Sequence, residues 1–201
     1  MFARWPRRSL PLAAVLLVGG CGGSSSTSTS SSSTAPEAGA ALAADAKSAA
    51  TGDIPDNQAF LTLDAPRARI SIVYPEGWSV QESAASVSIK EKNNVVRIAL
   101  ARGAAPTIAG VQAQLEALVR STPGLTAGRA QAVSLKAGPA VRAAYTTQSA
   151  PNPVTGKQVT LTVDRYVLAH AGRVAIVDEG TPVGVDNVDA YKRMIESFRW
   201  R

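Results

Sequence analysis

One cysteine, Cys21, and one histidine, His170, are all that this chain of 201 residues holds of the side chains most used as nucleophile, general base and zinc ligand. A lone cysteine cannot close a disulfide within the chain, and one Cys with one His falls short of the three or four N/S ligands of a zinc site. A Cys-His nucleophile pair is excluded in any ordinary form, because Cys21 sits in Gly19-Gly20-Cys21-Gly22-Gly23, with no fold-forming residues around it. His170 could serve as a general base. It stands at a hairpin turn, His170-Ala171-Gly172, without a G-x-S-x-G elbow in the chain, so exposed polarity is its expected role.

Other residues invite chemistry and fail on spacing. Gly156-Lys157 suggests a phosphate-binding loop, but that pattern needs Gly at position 151 and Ser or Thr at 158, where the chain has Pro151 and Gln158. Two prolines in the loop would also remove backbone donors, so a rigid hairpin connection is expected instead. Asp186-Asn187-Val188-Asp189 is acidic enough for calcium but lacks the remaining oxygens and the closing Glu of an EF-hand loop, which leaves Asp186 as a helix N-cap. Asp164-Arg165 and Asp178-Glu179 are placed to form exposed cross-strand ion pairs, worth under about 1 kcal/mol each. Tyr74, Trp78, Tyr145, Tyr166 and Trp200 could line an apolar pocket for a lipid or isoprenoid, although such aromatics more often fill a core between helix and sheet. No catalytic residue, metal site or cofactor is expected from these patterns, and the binding reading precedes an envelope hydrolase or transferase.

The N-terminus gives Cys21 a different use. Met1 to Ser9 carries Arg4, Arg7 and Arg8 with no acid, and Leu10 to Val18 is apolar apart from Pro11. A run of about ten residues is too short to span a bilayer and has the layout of a secretory signal. Val18-Gly19-Gly20-Cys21 then resembles the bacterial lipobox, with an aliphatic residue three before the cysteine and small residues directly before it. The resemblance implies cleavage before Cys21 and a diacylglycerol on its thiol, so residues 1–20 are read as signal peptide. Two or three acyl chains exceed the single chain that binds a membrane only marginally. Residues 21–56 are read as a tether, because Ser24 to Thr34 are eleven consecutive Ser/Thr residues and an Ala/Gly-rich stretch follows. Such a coil spans about 30 to 35 Å. Ala38 to Ala50 reads as loop or marginal helix.

The elements come from the periodicity of residues 57–201, read as one globular domain. Ile70, Ile72 and Tyr74 alternate with Arg69, Ser71 and Val73 before the turn Pro75-Glu76-Gly77; Val87 and Ile89, then Val96, Ile98 and Leu100, repeat the pattern across Lys92-Asn93-Asn94. Ile108, Val111, Leu115, Leu118 and Val119 switch to helical spacing, stopped by Thr122-Pro123-Gly124. Strands are expected again over Ala130–Leu135, Pro139–Thr147, Lys157–Ala169 and Arg173–Val177. In the third of these, Val159, Leu161 and Val163 share one face while Tyr166 and Leu168 take the other, which predicts a bulge or a sheet covered on both sides. A closing helix puts Val188, Tyr191, Ile195 and Phe198 on one stripe. Helices with one apolar face must cover an alternating sheet, so the fold class is α+β, an antiparallel β-sheet flanked by two main helices.

Of the formal charge of +6, three units belong to arginines before Cys21, which leaves +3 from Cys21 onward, dispersed among acids. No nucleic acid is expected as a partner. Tyr74-Pro75-Glu76-Gly77-Trp78, Ala150-Pro151-Asn152-Pro153-Val154-Thr155-Gly156-Lys157 before a Val-Asp-Arg-Tyr strand, and Met194-Ile195-Glu196-Ser197-Phe198-Arg199-Trp200 resemble actinobacterial lipoproteins of the LpqN/LpqT type, within the Mog1/PsbP-like fold. The resemblance covers about Phe60 to Trp200 and implies an α/β/α sandwich that hosts non-enzymatic partner binding; no binding residue carries over from it. The expectation is an exported module lipid-anchored through Cys21 to the extracytoplasmic face of the cell membrane. Its partner would be an envelope protein or an amphiphile.

Overall fold

The computed structural model describes residues 52–201. The expected signal peptide, Cys21 and the expected tether up to residue 51 lie outside the described residues. Elements follow in the order β1 (Phe60–Ala65), β2 (Ile70–Pro75), β3 (Ser79–Glu82), β4 (Ser86–Glu91), β5 (Asn94–Arg102), α1 (Ile108–Ser121), β6 (Thr126–Ala127), β7 (Gln131–Leu135), β8 (Gly138–Gln148), β9 (Thr160–His170), β10 (Arg173–Pro182), α2 (Val188–Ser197) and β11 (Arg199–Trp200). The class is α+β, with antiparallel sheet and two helices among the described residues. Among the described residues the antiparallel strands form a three-stranded sheet, β1-β2-β11, and an eight-stranded one ordered β3-β4-β5-β10-β9-β8-β6 with β7 also on β8. β1, β6 and β11 are too short or too polar in pattern to stand out in the sequence.

The change of face within β9 has a clear cause. Its register with β8 and β10 runs without a slip, so there is no bulge. The sheet is covered on both sides. Leu168, Ala140 and Ala175 lie in one core with Tyr191, Met194 and Ile195 of α2, while Val167, Val163 and Val141 lie in a second with Val111 and Leu115 of α1. Adjacent β9 residues therefore belong to different cores, and a strand with apolar side chains on both faces is what two covering helices require.

Local chemistry sets the ends. Thr107 caps α1, its Oγ1 accepting from Gly110 N at 3.0 Å. Ile108 and Val119, expected on the buried face, are exposed, so the stripe narrows to Val111 and Leu115. The β9–β10 hairpin closes on Ala171-Gly172, both with positive φ (48° and 74°), the backbone of a type I′ turn. At the start of α2 the expected Asp186 cap is corrected: the N-cap is Asn187, whose side chain points inward, and Asp186 Oδ1 only receives Val188 N at 3.3 Å. Val188, expected on the buried stripe, is 70% exposed, because it precedes the turn that settles on the sheet.

Asn187 also holds the first of the described residues. It is buried, takes Ile54 N on its Oδ1 at 2.8 Å and donates from Nδ2 to Gly52 O at 3.0 Å. Asn94 donates to the same carbonyl. Gly52 to Ile54, read from sequence as the end of the tether, is thus bound into the domain, with Ile54 in the core. The composition of the segment is that of a linker; the contacts that hold it come from residues 94 and 187, far along the chain.

Candidate functional site

A cavity of about 450 Å³ opens between α2 and the face of β8, β9 and β10 that it covers. Its wall combines apolar side chains, Val133, Leu135, Val185 and Ile195, with Arg142, Asp164, Tyr166 and Glu179 from the sheet. Strand alternation explains the polar set. The pairing that aligns Ala140 with Leu168 and Ala175 with Leu168 also aligns Arg142 with Tyr166 and Asp164 with Glu179, all on the α2 side.

Arg142 Nη2 donates to Asp164 Oδ1 at 2.6 Å, but its Nε has no partner among the described residues. Glu179 is 2% exposed and its Oε1 has none either. Burial, and secondarily the Asp164 carboxylate directly opposite, holds the Glu179 carboxyl well above the usual range, against the pull of Arg142. Tyr166 beside it is pushed up to about 12, first by burial and then by Glu179 and Asp164. Tyr191 is raised by burial, and its hydroxyl donates to Gly180 O at 2.7 Å, which pins α2 to β10. Lys192 and Glu196 of α2 stand at the cavity, and the exposed Val183 and Val188 flank this end of the helix. Such an arrangement can accept a molecule with an apolar body and a polar end that satisfies buried hydrogen-bonding groups.

The five aromatics do not share this site. Trp78 packs edge-on against Tyr191 with centroids 6.5 Å apart, and Tyr74 lies against the same core. Trp200 is held between Phe198 and the His170 ring, 5.3 and 6.1 Å away, with the Arg173 guanidinium 5.1 Å from its centroid. Tyr145 is on the opposite face of the sheet, in the α1 core. Of the five, Tyr166 lines the cavity. His170 is exposed, as its turn position implied. Asn152, Thr155 and Gly156 form a turn around Asn152 Oδ1, which accepts from Val154 N and Thr155 N at 2.9 and 3.0 Å.

The expected exposed ion pairs are rearranged. Arg165 and Asp178 form a bidentate pair on the α1 side, both contacts 2.7 Å, with side chains only 16% and 18% exposed. Asp164 pairs with Arg142, and Glu179 with no cation among the described residues. Glu179 and Arg142 are the site residues that sequence reasoning missed. The available signal was alternation: in Ala175-Ile176-Val177-Asp178-Glu179, whatever buries Ala175 and Val177 buries Glu179 as well.

No family model matches the chain, and no curated protein sequence matches it. Among solved structures it is similar to cyanobacterial PsbP (CyanoP) from Synechocystis sp. PCC 6803, at 13% identity over 75% of this chain and 98% of that one, TM-score 0.48. It is similar to the Saccharomyces cerevisiae Ran-binding protein Mog1p at 10% identity over 71% of this chain and 95% of that one, also 0.48. A structure from Bacteroides thetaiotaomicron VPI-5482 shares 17% identity over 70% of this chain and 48% of its own, TM-score 0.44. Two of the three are thus a PsbP and a Mog1 structure; at these identities none of them speaks to a ligand.

Proposed function

We propose that the domain is a non-enzymatic binding module that holds an amphiphilic small molecule under α2, displayed from a lipid anchor on Cys21 at the outer face of the cytoplasmic membrane. The observation that carries the binding reading is the cavity: its size lies in the range of small-ligand sites, and a buried carboxyl without a partner lines it. Binding is favoured over catalysis by the state of the polar groups. Arg142 is engaged with Asp164, Tyr191 with the backbone of β10, and Asn187 with Thr181 Oγ1 at 2.9 Å, an arrangement that holds and orients rather than one that activates a nucleophile. The signal-like N-terminus, the lipobox resemblance and the likeness to LpqN/LpqT-type lipoproteins support placement in the envelope, where amphiphiles are abundant.

Native mass spectrometry of the full-length protein from the membranes of cells that export it tests this. A noncovalent mass that is released on unfolding is the expected result. A protein that carries only its covalent acyl chains, and takes up no amphiphile when offered one, overturns the cavity reading.

A further inference from the structure

The cavity's two orphaned groups narrow the class of molecule. Glu179 Oε1 and Arg142 Nε are both buried, both unpartnered, and belong to side chains that line the same space. A carboxyl buried at 2% exposure with an unpartnered oxygen is favoured in its protonated form, which offers a donor and an acceptor side by side in one plane, and rotation about its last, soft torsion can turn either oxygen toward the cavity. Its complement is another planar group with a donor and an acceptor on adjacent atoms. An anionic head meets Asp164 nearby and an Arg142 already committed to it, so carboxylates and phosphates are disfavoured. An ammonium would need Glu179 ionised in a site that water barely reaches.

Resting on the reading of this cavity as a ligand site, we propose that it selects amphiphiles with a carboxamide head, which pairs with the Glu179 carboxyl and accepts a hydrogen bond from Arg142 Nε. The alkyl part then lies along Val133, Leu135 and Ile195. The groups that face Glu179 are Arg142 from β8, Asp164 and Tyr166 from β9, and Tyr191, Lys192 and Glu196 from α2, with apolar Val96 opposite it on β5. Of these, Tyr166 and Tyr191 stay protonated through neutral pH.

The test uses the full chain in lipid nanodiscs, with empty nanodiscs as reference, titrated with hexanamide, hexylamine and hexyl phosphate. Calorimetry reads affinity, and the carboxyl carbon shift of Glu179, assigned by its loss in E179Q, reads protonation. Hexanamide should bind best, with Glu179 still protonated and affinity flat across neutral pH. Glu179→Gln, which keeps a planar donor and acceptor, should retain hexanamide binding, whereas Glu179→Leu should weaken it about tenfold. Preference for hexylamine with the Glu179 signal moving to its ionised position, or preference for hexyl phosphate, overturns the carboxamide inference and leaves the cavity reading standing. If none of the three binds, or all bind equally to Glu179→Leu with no shift at α2, both fall.

Discussion

Glu179 and Asp164 stand directly opposite each other across the β9–β10 ladder, two carboxyl groups beside a single guanidinium, and Arg142 pairs only with Asp164. Burial first, and then the like charge in register, raise the Glu179 carboxyl above the usual range.

That relationship sets a pH dependence of stability. Glu179 has a folded pKa raised above its unfolded value near 4.5, so between those values the folded state binds the extra proton. Its stabilising contribution is full below about pH 4.5 and is lost as pH rises through the raised value, at up to about 1.4 kcal/mol per pH unit. Urea unfolding of wild type and Glu179→Gln at several pH values should show the variant gaining relative to wild type as pH rises. Parallel curves would refute the upward shift at Glu179.

Asn187 ties the start of the domain to the start of α2. Asn187→Ala leaves Ile54 N and Gly52 O without this partner and should cost about 2 kcal/mol or more. The loss should be local as well as global, so amide exchange at Ile54 should accelerate far more than at Val141 or Leu168. Equal acceleration at all three would mean that the segment is not separately held.

Arg165 and Asp178 test the other face. Their two contacts of 2.7 Å are mostly screened from solvent, and the Arg165 guanidinium lies 5.1 Å from the Tyr145 centroid. Asp178→Asn should destabilise by about 1.5 to 3 kcal/mol, the range for hydrogen bonds to charged groups, and Arg165→Lys should also cost stability, since an ammonium cannot bond both oxygens in one plane. Neither change should alter ligand uptake in the cavity, which is on the α2 side. Denaturation midpoints and the hexanamide titration check both halves.

Cys21→Ala should release the protein from the membrane or strand it as precursor, with thermal unfolding of the domain unchanged. A Cys21→Ala protein that still fractionates as a mature, detergent-requiring species would refute the lipid anchor.

Much of the architecture was legible in local pattern. The switch from alternation to helical spacing at Ile108, the stop at Thr122-Pro123-Gly124, and the return of alternation through β10 each depend on residues within a few positions of one another, so sequence alone determined the α+β class and both main helices. Alternation states which residues share a face. It does not state what covers that face, and this is why Val188 and Val119 were expected inside and lie outside, while Glu179 was expected at the surface and lies in the core. The site belongs wholly to the second kind of information. Arg142, Asp164 and Glu179 come from three strands and meet only through the register of β8, β9 and β10, and their burial is decided by α2 settling on that face; the cost of burying Glu179 without a cation appears only once those long-range pairings exist.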